Sequence, residues 1–159
     1  MKSTESLAPS TKQLTGLEYE LALLSRHYLS ALAHRGGQKL DRSAYLILVR
    51  LGEHDALSLK ELSEAFRLDV STLNRQVAAM RRTGLVERVP DPEGGVARKI
   101  RATEQGRRMV RADRDTGREN VGKVVADWSE TEVAQLHAMI AKFNQSIESL
   151  EDNPWPRQD

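Results

Sequence analysis

The 159-residue chain has no cysteine, which excludes a disulfide framework, a thiolate metal site and thiol-based redox sensing. Aromatics are scarce: two Phe, three Tyr and two Trp. Any core must therefore be built mainly from Leu, Val, Ile, Met and Ala. No apolar run approaches the ~18 residues that span a bilayer. Met1-Lys2-Ser3-Thr4-Glu5-Ser6 lacks the apolar core of a secretory signal, so a cytoplasmic location is expected, with no membrane partner. There is no Gly-rich phosphate loop, nucleophile elbow or paired metal-ligand motif, so no enzyme and no cofactor are expected. Internal repeats are also missing.

What is present is a globular composition, 39% hydrophobic and 30% charged, of a length suited to one domain with or without helical extensions. The formal charge of +1 hides an asymmetry. Between Arg67 and Arg108 stand ten Lys and Arg against five Asp and Glu, while the remainder is net acidic. A basic middle between acidic ends points to a localised anionic partner.

The stretch from Leu62 to Met80 reads as two short helices joined by a tight turn. Val70, Leu73, Val77 and Met80 are spaced 3, 4 and 3 and make one apolar stripe. The opposite face carries Ser71, Thr72, Arg75 and Gln76. Short hydroxyls at a helix start let the backbone approach a DNA major groove, and Arg then reaches base edges or phosphates. On these residues alone, an ordinary amphipathic helical hairpin is the competing reading.

The flanking segments fit around that unit. Residues 1–12 are polar and read as a disordered tail. Leu14, Leu17, Leu21, Leu24, Tyr28 and Leu32 predict a first helix, stopped at Gly36-Gly37. Asp41 caps a second, with Tyr45, Leu48, Val49 and Leu51 as its stripe. A third begins at Ser58, where Glu61 completes a capping box, and buries Leu59, Leu62 and Phe66. The fourth ends at Gly84. Leu85–Val89, the turn Pro90–Gly95 and Val96–Ala102 then form a β-hairpin whose return arm is cationic. Thr103-Glu104 opens a fifth helix, to about Trp128, packed through Val110, Val121, Val124 and Val125. Ser129 and Glu132 box the last, which carries Val133, Leu136, Met139, Ile140, Phe143, Ile147 and Leu150 and stops at Asn153-Pro154.

Helix-turn-helix followed by a basic hairpin is a winged helix-turn-helix, in a mainly α fold with a small β-hairpin wing. The organisation expected is one domain over 13–152. Residues 41–108 form its DNA-binding lobe, 13–40 and 109–152 supply N- and C-terminal dimerisation helices, and 153–159 is a tail. The stripes of the first and last helices exceed what one small lobe can cover. Leu14, Leu17, Leu21, Leu136, Met139, Ile140, Phe143 and Ile147 are accordingly the expected homodimer interface.

Residues 14–150 resemble the MarR family, the multiple-antibiotic-resistance-type bacterial repressors. The resemblance rests on Leu62–Leu68, Ser71–Val77, Gly84–Arg88 and Thr103–Gly106, which follow the family order "LAxxLxL…sTvsRxvxxLexxGLvxR…LTxxG". It implies a homodimer with interlocked terminal helices, two DNA-reading lobes and a small-molecule pocket between lobe and dimer region. On this pattern Ser71, Thr72, Asn74, Arg75 and Gln76 contact DNA, with Arg75 the base- or phosphate-contacting residue. Ser71 and Thr72 have two roles open, phosphate contact and helix capping.

There are two departures. Arg67 stands where the family often has Gly. The tip Asp91–Gly95 lacks the Asp-Arg pair of many members, so minor-groove insertion falls to Arg98, Lys99 or Arg101. For an aromatic or anionic effector, Arg26, His27, Tyr28 and Tyr45 are pocket candidates, though surface or interface placement suits them equally. His27 and His34 lie seven apart without an acid to complete a metal set, and His54 between Glu53 and Asp55 reads as a solvated loop. The implied function is a sequence-specific repressor, dimeric on a pseudo-palindromic operator of double-stranded DNA and released by a small molecule. The competing reading is a winged-helix protein-interaction module, which would present an apolar or acidic recognition face.

Overall fold

The computed structural model describes residues 8–34, 37 and 39–157, and of residues 29–34 the backbone alone. Among the described residues, six helices and two strands follow in the order α1 (Thr11–His34), α2 (Arg42–Gly52), α3 (Leu59–Phe66), α4 (Val70–Arg82), β1 (Val86–Val89), β2 (Lys99–Ala102), α5 (Glu104–Val124) and α6 (Glu130–Glu151). Residues 1–37 form one unit and residues 38–159 another.

In the first unit Ser10 and Gln13 exchange hydrogen bonds, Ser10 N to Gln13 Oε1 at 2.9 Å and Gln13 N to Ser10 Oγ at 3.3 Å. This reciprocal cap starts α1 at Thr11, inside the expected tail of residues 1–12. Residues 1–7, Gly36 and the side chains of Leu32 and His34 lie outside the described residues. That leaves the remainder of the tail, the glycine stop and the His27–His34 pairing there.

In the second unit each helix start follows from its own sequence. The side chains of Asp41, Ser58, Asp69, Thr103 and Ser129 accept from the backbone N–H two or three residues into their helices. Ser58–Glu61 and Ser129–Glu132 close as full capping boxes. The turn between α3 and α4 passes through Arg67 in the left-handed region, φ 50° and ψ 40°. This is the conformation for which glycine is the usual residue.

The core gathers Ile47, Leu48 and Leu51 of α2, Leu62 of α3, Leu73, Val77 and Met80 of α4, Val86, Ile100 and Ala102 of the wing and Val110 of α5. Compared with the expected stripes, α2 is rotated toward Ala44 and Ile47, leaving Tyr45 and Val49 half-buried at the core margin. In α3 Ala65 is buried while Leu59 and Phe66 sit at the edge. Val70 is exposed because it opens α4 ahead of the packed turn.

The wing is shorter than its sequence suggests. β1 and β2 pair antiparallel with Val86 opposite Ala102 and Val89 opposite Lys99. Val96–Arg98 lie before the strand. Leu57, leading into α3, adds a short third rung: Leu57 N donates to Ile100 O at 2.9 Å and Ile100 N to Leu57 O at 2.6 Å.

Gly106 locks α5 against this sheet. A methyl group there would lie 2.3 Å from the carbonyl oxygen of Leu85 and 3.0 Å from Leu48 Cδ2. Backbone oxygen cannot yield as a side chain would, so Gly106→Ala should destabilise the lobe by about 1–3 kcal/mol. A urea melt with unchanged midpoint would refute that close approach.

α5 departs most from expectation. It ends at Val124, and Val121 and Val124 are exposed. Its inward face instead buries Asp113 and Asn120. The Asp113 carboxylate accepts from Lys39 N and Leu40 N, both at 2.9 Å. It thereby ties the lead-in of α2 to α5 with two charge-assisted hydrogen bonds. α6 buries no residue within the unit. Val133, Leu136, Ile140, Phe143 and Ile147 stay about two-fifths exposed and Met139 60%. No described helix is long and apolar enough to cross a membrane.

Candidate nucleic-acid interface

α4 presents its N-terminus and one flank to solvent, because Leu73, Val77 and Met80 turn the other flank into the core. The exposed side starts with a polar relay. Asp69 accepts from Thr72 N at 2.9 Å, from Thr72 Oγ1 at 2.7 Å and from the Ser71 hydroxyl. Arg75 Nη2 approaches Thr72 Oγ1 at 3.4 Å. The hydroxyls of Ser71 and Thr72, with the Thr72 amide, hold the Asp69 carboxyl far below the usual carboxylate range.

This geometry constrains the chemistry of the helix start. Both hydroxyl protons are committed to Asp69, so the oxygens act as acceptors, Thr72 Oγ1 facing Arg75 and Ser71 Oγ offering its lone pairs outward. Such oxygens accept from amino groups, like those of adenine and cytosine in a major groove. Asn74 and Arg75 are exposed one turn further on. Gln76 turns away from that flank. It lines a hollow of about 380 Å³ between α2, α4 and the start of α5, with Lys39, Leu40, Met80, Gln105 and Met109. Its Oε1 is buried without a described partner.

The three wing cations divide. Lys99 Nζ lies 3.2 Å from Asp91 Oδ1 and 3.7 Å from Glu93 Oε2, with its side chain largely buried. The hydrogen bond with Asp91 raises the Lys99 pKa despite partial desolvation. Asp91 also accepts from Glu93 N at 3.0 Å, so one carboxylate organises the whole tip. Arg101 pairs with Glu87, directly across the strands, at 2.9 Å. Arg98 is exposed and makes no ion pair with a described residue.

Arg98 shares a groove of about 830 Å³ with Ala78, Arg81, Arg82, Val86, Glu87 and Arg88. Four arginines thus ring one concavity between the end of α4 and the wing. Arg81, Arg82 and Arg88 were not among the expected contacts. A signal for one of them was available: Ser71, Arg75, Ala78 and Arg82, spaced 4, 3 and 4, continue a single helical flank.

The remaining expected positions are spread out. Arg26, His27 and Tyr28 are exposed along α1, in the first unit. Tyr45 packs against the core of the second. Leu14 and Leu17 are about half exposed, and Leu21 less so. No cluster of three His, Asp or Glu suited to a metal occurs among the described residues.

A MarR-family profile matches residues 40–94, from the lead-in of α2 to the wing tip. The uncharacterized HTH-type transcriptional regulator YxaD of Bacillus subtilis is 34% identical over 133 residues, covering 82% of this chain and 92% of its own. The chain belongs to the MarR family. Within that family, the HTH-type transcriptional repressor IacR of Pseudomonas putida is 28% identical over 111 residues, covering 70% of this chain and 66% of its own. A solved MarR family protein from Bacillus stearothermophilus superposes with a TM-score of 0.75 at 24% identity, over 88% of this chain and 99% of that one. That likeness shows the winged-helix fold. The chain is therefore a helix-turn-helix regulator of transcription that binds DNA, and not an enzyme.

Proposed function

We propose that this MarR-family protein is a repressor that binds a pseudo-palindromic operator as a homodimer and is released by a small molecule. The observation that carries the reading is the open flank of α4, Ser71, Asn74 and Arg75, running into the arginine groove. Small acceptors at a helix start with Arg behind them suit base edges, and a groove of arginines that make no ion pair among the described residues suits the flanking phosphates. In this assignment Ser71, Thr72, Asn74 and Arg75 read, while Arg81, Arg82, Arg88 and Arg98 hold. Lys99 and Arg101 keep the wing in shape, and Gln76 faces inward.

The exposed stripe of α6, with Leu14 and Leu17 of α1, supports the dimer, since a monomer would leave these apolar side chains in water. The hollow beside Gln76 supports the effector. A flat aromatic anion would find Met80 and Met109 for its face and Lys39 for its charge. Because Gln76 belongs to α4, an occupant would bear on the reading helix itself.

Selection of bound sequences from random duplex DNA with the purified protein tests the reading. Enriched pseudo-palindromes are expected. Recovery without any shared sequence would leave the winged-helix protein-interaction module in its place.

A further inference from the structure

The chain beyond α6 does not trail away. Asp152, left-handed at φ 48°, turns residues 153–157 back onto the lobe. Asn153 Nδ2 donates to Ala65 O at 2.9 Å, at the last turn of α3. The ring of Trp155 meets Phe66 edge-to-face, centroids 5.1 Å apart, and the Arg50 guanidinium lies 5.3 Å from the Trp155 ring centre. Arg50 Nη1 also donates to Pro154 O at 3.2 Å.

The same segment is fastened to α6. Glu148 accepts from Trp155 N at 3.2 Å and from Arg157 at 2.5 and 2.9 Å. Arg67, the left-handed residue of the helix-turn-helix turn, donates to the carbonyl oxygen of Glu151. Apart from the Glu148 bonds, each of these contacts joins α6, or the residues after it, to α2, α3 or the turn that launches α4.

We propose that residues 153–157 are a strap that positions the DNA-reading lobe on the dimer helix and so sets the half-site spacing the dimer accepts. The inference rests on the homodimer reading above. No residue of α6 is fully buried, so at its far end this strap, with Arg67 on Glu151, holds the lobe to it. Two recognition helices on one duplex must sit about one turn, ~34 Å, apart. A lobe free to swing on α6 would tolerate several separations, whereas a fastened lobe tolerates one. Trp155 is a positioning residue here: it anchors the strap between Phe66 and Arg50.

The chain has no cysteine, so Lys60→Cys, on the exposed face of α3, places one spin label on each lobe of the full-length dimer. The label-to-label distance distribution should be narrow in that parent and broad after Trp155→Ala. On inverted half-sites taken from the random selection, each spacing off register should cost the parent roughly tenfold in affinity, the size of one mismatched base pair. In Trp155→Ala that penalty should fall to roughly twofold, with single half-site affinity unchanged.

A distribution of unchanged width together with unchanged spacing selectivity overturns the strap. A uniform loss on every duplex, half-sites included, also overturns it, because positioning acts on spacing alone. If thermal melting shows Trp155→Ala unfolded, Asn153→Ala carries the same readouts, since it removes one hydrogen bond and keeps the aromatic contact. No dipolar coupling in the parent would take down the dimer reading and the strap with it.

Discussion

Ile140→Asp and Phe143→Asp should each yield a species of 17.9 kDa in sedimentation, or a protein that no longer folds. Both side chains lie on the α6 stripe, about two-fifths exposed, and no residue of α6 is fully buried. Covering an Ile or Phe is worth roughly 1.5–3 kcal/mol each. A carboxylate in that seam reverses the sign, because a buried unpaired charge costs several kcal/mol. The stripe continues through Leu136, Met139 and Ile147, so one substitution interrupts a surface that works as a whole. Wild-type protein sedimenting as a monomer at micromolar concentration would refute the dimer outright.

Arg75→Ala should cost about 1–3 kcal/mol on the operator and relax preference at one position per half-site. Arg98→Ala should weaken operator and scrambled duplex alike and flatten the salt slope by about one unit. Lys99→Ala should leave that slope nearer to wild type, because its ammonium is already engaged by Asp91 and Glu93. Affinities at several salt concentrations, for both duplexes and each substitution, separate the three. A slope change for Lys99→Ala as large as for Arg98→Ala would show that the ammonium leaves its carboxylates for phosphate. An Arg75→Ala protein with an intact operator-to-scrambled ratio would move base reading elsewhere.

The elements readable from sequence are those whose signals are local. Capping boxes at Ser58–Glu61 and Ser129–Glu132 close within three residues, and the stripe of α6 repeats over about five turns. What sequence could not show depends on residues far apart. Asp113 sits in a charged stretch that reads as solvated, yet its partners are 73 and 74 residues away. Trp155 follows a helix stop and looks like tail, while Phe66 and Arg50 come from the other end of the unit. The wing cations look equivalent along the strand, and only the fold brings Asp91 onto Lys99 and Glu87 onto Arg101. Arg67 was legible as an exception, and its positive φ bears that out.

The acidic tip of the wing has a consequence for how the protein finds its sites. With Asp91 and Glu93 beside Lys99, that lysine would displace few counterions when the wing grazes arbitrary DNA, leaving the contact to its arginines. Each wrong landing is correspondingly brief. A genome offers about 10⁶–10⁹ such landings for every correct one. Holding a lysine inside its own loop would thus lower residence on everything that is not the proposed operator.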